Sequence, residues 1–170
     1  MESYFIGFDR ATLAERFDVI AARRRLDEIV DYRGLVELVE KIGLYTALDR
    51  LDDARTTATE AMRQARFGND REPLMQAKIA NARLLRTDGR GEQAVSQLTD
   101  VLIEAETLGR ADLVADALRQ RALCRLALDE PELARADLNE ALAILVRANA
   151  APREIDTTMI AVGALLDRGD

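Results

Sequence analysis

The sequence has no histidine, no tryptophan and a single cysteine, Cys124. One thiol excludes a disulfide framework, and without histidine the usual zinc ligand sets are excluded too. Three prolines and nine glycines in 170 residues are too few for a collagenous, loop-rich or disordered chain. Aromatic residues make up 4 %, thin filling for a β-sandwich. Serine stands only at Ser3 and Ser96, and with no histidine a Ser-His-Asp triad is impossible. No run approaches the ~20 apolar residues of a membrane span. The opening stretch, Met1 to Phe8, lacks the basic start and long apolar core of a signal peptide. The expected location is the cytoplasm.

What is present is 48 % hydrophobic and 32 % charged residues, enough for one cored, soluble domain. The net charge is −7, with a pI near 4.8. That balance argues against general nucleic-acid or anionic-membrane binding, which rests on a basic surplus. Of the 24 basic residues only Lys41 and Lys78 are lysines, a bias that points to a GC-rich, bacterial coding sequence.

Breaks fall at Tyr32-Arg33-Gly34, Asp49 to Asp52, Phe67 to Asp70, Asp88 to Gly91, Gly109, Asp129-Glu130-Pro131 and Ala151-Pro152. Between them apolar residues recur at helical spacing, as in Leu35, Leu38, Val39 and Ile42. The spacing predicts eight helices near 10–30, 34–48, 51–66, 72–87, 91–107, 111–128, 131–148 and 153–167. Asp129 before Pro131 reads as an N-cap acceptor followed by a first-turn proline. Asp49, Asp52 and Asp53 read as helix-start acids. Two β-favouring clusters, 4–8 and 158–166, stand outside this pattern, and the second reads equally well as a buried helix.

A period of 40 residues runs through the chain. Ala14, Ala54, Ala94 and Ala134 keep it, as do Ala21, Ala61, Val101 and Ala141, and Ile42, Ala82, Ala122 and Val162. The turns recur as well, at Leu48-Asp49-Arg50, Asp88-Gly89-Arg90 and Leu128-Asp129-Glu130. Small residues at fixed points let paired helices approach closely, and a period of 20–50 residues signals a stacked array.

In these residues the chain resembles the tetratricopeptide repeat family, over about 34–148. Ile42 and Tyr45 precede Ala54 and Ala61, Ala82 and Leu85 precede Ala94 and Val101, and Ala122 and Arg125 precede Ala134 and Ala141. Leu38, Lys78 and Leu118 replace the family's early tryptophan, and the period exceeds the usual ~34 residues. The resemblance implies an all-α, right-handed superhelical solenoid in one domain. It divides into a leading helix (10–33), repeats at 34–70, 71–110 and 111–150, and a terminal helix (152–168). It also implies a protein- or peptide-binding adaptor without catalysis, whose first helices line a concave groove.

Carried over by register, that groove holds Val36, Val39, Gly43 and Thr46, then Gln76, Ile79, Arg83 and Arg86, then Asp116, Arg119, Leu123 and Leu126. Met159, Gly163 and Leu166 extend it. Arg83, Arg86 and Arg119 would receive the acids of a peptide, since guanidinium forks suit carboxylates. The alternative is that these arginines pair with Asp116 and nearby glutamates and do nothing else. A separate stripe of Ile155, Met159, Val162 and Leu166 would bury itself in a homodimer, or residues 1–9 would fold over that end.

Chemistry beyond binding finds little support. Cys124 lies mid-helix without a base and reads as a buried, inert thiol. Gly89-Arg90-Gly91 lacks the phosphate-loop pattern and reads as a tight helix–helix turn. No catalytic residue, metal ligand or cofactor is expected. The runner-up reading is a small transcriptional or signalling regulator, sensing a peptide or touching DNA. Its DNA contact would be a helix-turn-helix at residues 12–25, with Arg23, Arg24 and Arg25 facing phosphates. A homo-oligomeric structural module ranks third.

Overall fold

Five left-handed backbone positions follow the repeat. Asp49 (φ 56°), Gly89 (73°), Gly109 (65°), Asp129 (61°) and Asn149 (51°) are glycine or short polar residues, the types that tolerate this region. Each ends a helix in the same way. The N–H of the next residue returns to a carbonyl five positions back: Arg50 to Tyr45, Arg90 to Leu85, Arg110 to Ala105, Glu130 to Arg125 and Ala150 to Leu145 (2.8–3.0 Å). This closure satisfies last-turn carbonyls and reverses the chain. Asp49 and Asp129 therefore terminate helices, so Asp49 is not the helix-start acid and Asp129 not the N-cap expected of them, whereas Asp52 and Asp53 do stand in the first turn of the next helix. Glu130 holds the N-cap place without a side-chain cap bond, and Pro131 follows in the first turn.

The computed structural model describes residues 4–9, 13–68 and 71–166. Among them are two short strands, β1 (Phe5–Phe8) and β2 (Glu15–Phe17), and eight helices. The helices are α1 (Val19–Ile29), α2 (Leu35–Ala47), α3 (Leu51–Gly68), α4 (Arg71–Thr87), α5 (Gly91–Thr107), α6 (Ala111–Ala127), α7 (Pro131–Arg147) and α8 (Pro152–Leu166). Each helix packs on the next, and α2 also meets α4, as α4 meets α6. The array is an all-α solenoid in which α2, α4 and α6 close on one another and so form its inner layer. The small residues of the 40-residue register seat the pairs: Ala54, Ala94, Ala134, Ala61, Val101, Ala141, Ile42, Ala82 and Ala122 are all fully buried. A larger side chain at such a site would overpack the pair by roughly 1–3 kcal/mol.

The leading helix is shorter than the periodicity predicts. Residues 15–17 form β2, antiparallel to β1, with Phe5 opposite Phe17, Gly7 opposite Arg16 and Phe8 opposite Glu15. Ala14 is exposed in irregular chain and so leaves the register that its spacing suggested. Asp18 is the reason that α1 starts where it does: its carboxylate accepts from the N–H groups of Ile20 (3.0 Å) and Ala21 (2.9 Å). The β-favouring cluster at 4–8 is therefore a strand, whereas the cluster at 158–166 is helical.

A two-stranded ribbon this short is marginal alone. Docking holds this one. Tyr4 is buried with Ala22, Leu26, Ile29 and Leu44 at one end of the array. Leu13, with Phe8 beside it, packs among Ala122, Leu138, Ala161 and Ala164 toward the other end. The hairpin thus runs along the inner layer from α1–α2 to α8.

Candidate functional site

The hairpin places an acid where the sequence had suggested that a ligand's acid would go. Strand alternation turns Glu15 and Phe17 to one side and leaves Arg16 exposed. The Glu15 side chain is 6 % exposed. Its Oε1 lies 2.9 Å from Arg83 Nη2, and its Oε2 accepts from Arg86 Nη2 at 2.8 Å. Gln120 Nε2 of α6 donates to Oε1 at 3.2 Å. Burial alone would raise the Glu15 pKa. The charges of Arg83 and Arg86, with the Gln120 and Arg83 hydrogen bonds, outweigh burial and hold it below the ordinary 4.5. The Arg83 guanidinium also sits 5.7 Å from the Phe17 ring centroid. Phe17 in turn meets Tyr4 and Phe5, and Phe5 meets Phe8, so four aromatic rings form a chain along the hairpin.

Beside the hairpin the inner layer remains open. A cavity of about 340 Å3 lies between β1 and helices α2, α4 and α6. Its apolar lining is Val36, Val39, Ile79 and Leu113, with Phe5 and Phe8 from the hairpin. Its polar lining includes Gln76, Glu40, Asp116 and Arg119. Glu40 is held by Arg25 in a two-point contact at 2.6 and 2.9 Å. Arg119 pairs with Asp116 one turn away, on its own helix.

The sequence-derived groove residues divide accordingly. Val39, Gln76, Ile79, Arg83, Asp116 and Arg119 come together around the cavity. Arg86 faces Glu15 and does not line the cavity, and neither does Thr46, whose hydroxyl donates to the Ile42 carbonyl at 2.7 Å. Arg119 does not join Arg83 and Arg86 around one acid. Glu15, Gln120 and Phe17 were not singled out in the sequence, whereas Phe5 and Phe8 belong to the 1–9 segment expected to fold over an exposed end. The usable signal was local: Phe5, Phe8 and Phe17 are three of the chain's four phenylalanines, crowded before residue 18.

The α8 stripe is split. Val162 packs toward Leu13 and Phe8, Ile155 is half-buried, and Met159 is exposed. The side chain of Leu166 lies outside the described residues. The hairpin covers this end, and the Arg153 guanidinium donates to the Phe5 carbonyl.

The helix-turn-helix of the runner-up reading, at residues 12–25, does not form among the described residues, because 15–17 are a strand. Cys124 is buried, and burial pushes its thiol up to about 11. Among the described residues no group of three potential ligands could hold a metal ion. No described helix is long and apolar enough to cross a membrane.

No protein-family model and no curated protein matches the chain. Solved structures do. A Rap protein complexed with competence and sporulation factor superposes with a TM-score of 0.76 at 15 % identity, over 89 % of this chain and 43 % of that one. The apo form of RapI gives 0.67 at 15 % identity, over 89 % and 56 %. BtubC (BKLC) from P. vanneervenii gives 0.65 at 17 % identity, over 87 % and 63 %. The chain spans about half the length of these structures. At such identities the likeness shows the fold, an α-solenoid of the tetratricopeptide-like type.

Proposed function

We propose that this chain is a non-catalytic binding module that takes a protein or peptide segment on the inner layer of its solenoid. The observation that carries the reading is the cavity of about 340 Å3 between β1 and helices α2, α4 and α6. It falls at the small end of the ~300–1,000 Å3 range of ligand pockets, with an apolar floor and a few convergent polar groups. Val39 and Ile79 would receive apolar side chains, while Gln76, Asp116 and Arg119 at the rim would meet backbone and polar groups. The Rap structure complexed with competence and sporulation factor supports the reading, as a protein of this fold that holds a ligand.

Panning a random peptide library against the native chain tests it. Selected peptides should lose at least tenfold in affinity to Val39→Asp and Ile79→Asp. They should keep it toward Val146→Asp, on the exposed face of α7. Peptides that bind all three variants like the native chain would place binding elsewhere and sink the proposal.

A further inference from the structure

We infer that Arg83, Arg86 and Gln120 form a carboxylate subsite, that Glu15 is its built-in occupant, and that the groove's partner is an extended segment carrying a glutamate two residues before an aromatic. The inference rests on the groove reading above and gives its partner a chemistry.

Arg83 and Arg86 belong to α4 and Gln120 to α6, but the carboxylate between them comes from the hairpin. The acids that line the neighbouring cavity are already engaged: Glu40 by Arg25, Asp112 by Arg110 and Asp116 by Arg119. The subsite on the helices is cationic by itself, and any occupant must bring negative charge. Arg86 Nε is buried without a hydrogen-bond partner, so the present occupant leaves a donor unused.

Glu15 fills the subsite while Phe17, two residues on, lies against the Arg83 guanidinium. An extended segment with the order glutamate, any residue, aromatic reproduces both contacts, because alternate side chains share a face. The occupant is also replaceable. The hairpin has strands of four and three residues. Its approach to β2 passes through Leu13 at φ 58°, a left-handed conformation unfavourable for a residue with a side chain. Release would free that backbone at the expense of uncovering Tyr4 and Leu13, whereas the residues that seat the helix pairs, Ala54, Ala94 and Ala134, lie on the helices themselves.

A cis occupant lowers the apparent affinity for a competitor by the fraction of time that the site is open. The probe is a fluorescent, capped peptide with the sequence of residues 13–18, Leu-Ala-Glu-Arg-Phe-Asp, followed by anisotropy against the full chain. Glu15→Ala should bind it at least tenfold tighter than the native chain. A glutamine in place of the peptide's glutamate should cost at least tenfold, and so should Arg86→Ala added to Glu15→Ala. Hydrogen exchange of residues 4–9 and 13–18 should rise in Glu15→Ala, and in the native chain at saturating peptide. If Glu15→Ala loses its helical signal, Arg153→Ala, which frees the Phe5 carbonyl, serves as the release variant. Equal affinity for native and released chains, or indifference to the peptide's glutamate, overturns the inference and leaves the groove reading standing. If neither this peptide nor any library peptide binds a chain whose hairpin exchange shows release, both fall.

Discussion

Replacing Asp137 by asparagine removes one negative charge from the α6–α7 contact and almost no volume. The Asp137 side chain is 3 % exposed. Arg121 grips it through Nε at 2.9 Å and Nη2 at 2.7 Å, and Arg125 adds Nη1 at 2.8 Å. Arg121 also donates to the Thr99 hydroxyl of α5 at 3.2 Å, so one carboxylate ties three consecutive helices together. Asparagine would leave two guanidinium groups facing an amide. Removing one partner of a buried pair costs about 3–5 kcal/mol. The arginine side chains, 14 % and 16 % exposed, can partly turn to water, which favours the lower end, about 3 kcal/mol. That is a large share of a total of about 5–15 kcal/mol and lowers Tm by about 6–12 °C in a chain of this size. Urea unfolding followed by circular dichroism reads the loss. In an Arg121→Met/Arg125→Met background the same change should cost nothing or stabilise, because Asp137 is then a buried carboxylate stripped of its cations. A loss under about 1 kcal/mol in the native background would refute the claim that this cluster clasps the array.

Acid should release the hairpin before it melts the solenoid. Glu15 has a folded pKa below its ordinary 4.5, so its stabilising contribution is complete above pH 4.5 and is lost as pH falls through the lowered value. Fluorophenylalanine NMR checks this: the Phe5, Phe8 and Phe17 signals should hold from pH 7 to 5 and move below 4.5 while helicity persists, with exposed Phe67 as the reference. Gly89→Ala should cost about 1–2 kcal/mol in urea unfolding. The added methyl meets nothing within 4 Å, so the whole cost is that of φ +73° for an L side chain.

The solenoid was legible because its signals are local and repeat. Ala54, Ala94 and Ala134 carry the register, and all are fully buried. The turns at Asp49, Gly89 and Asp129 share one left-handed geometry. That glycine stands in register with two aspartates was the clue that Asp129 ends a helix rather than caps one. The hairpin's second strand and its partners were illegible for the opposite reason. Strands of four and three residues are too short for alternation to outweigh a helical register that Ala14 and Ala21 continue. The partners that bury Glu15 lie 71 residues away at Arg86 and 105 away at Gln120. The arginine row was legible on α4 from its i, i+3 spacing. What the spacing could not show was that this chain supplies an acid for Arg83 and Arg86 itself and that Arg119 turns to Asp116.

The most direct test of binding at the inner layer is a methyl-labelled NMR titration of the native chain with a peptide selected by panning. The account expects the methyl signals of Val36, Val39, Ile79 and Leu113 around the cavity to shift, with those of Leu133 and Val146 on α7 unmoved. Shifts confined to α7 and α8, with the cavity methyls silent, would contradict it.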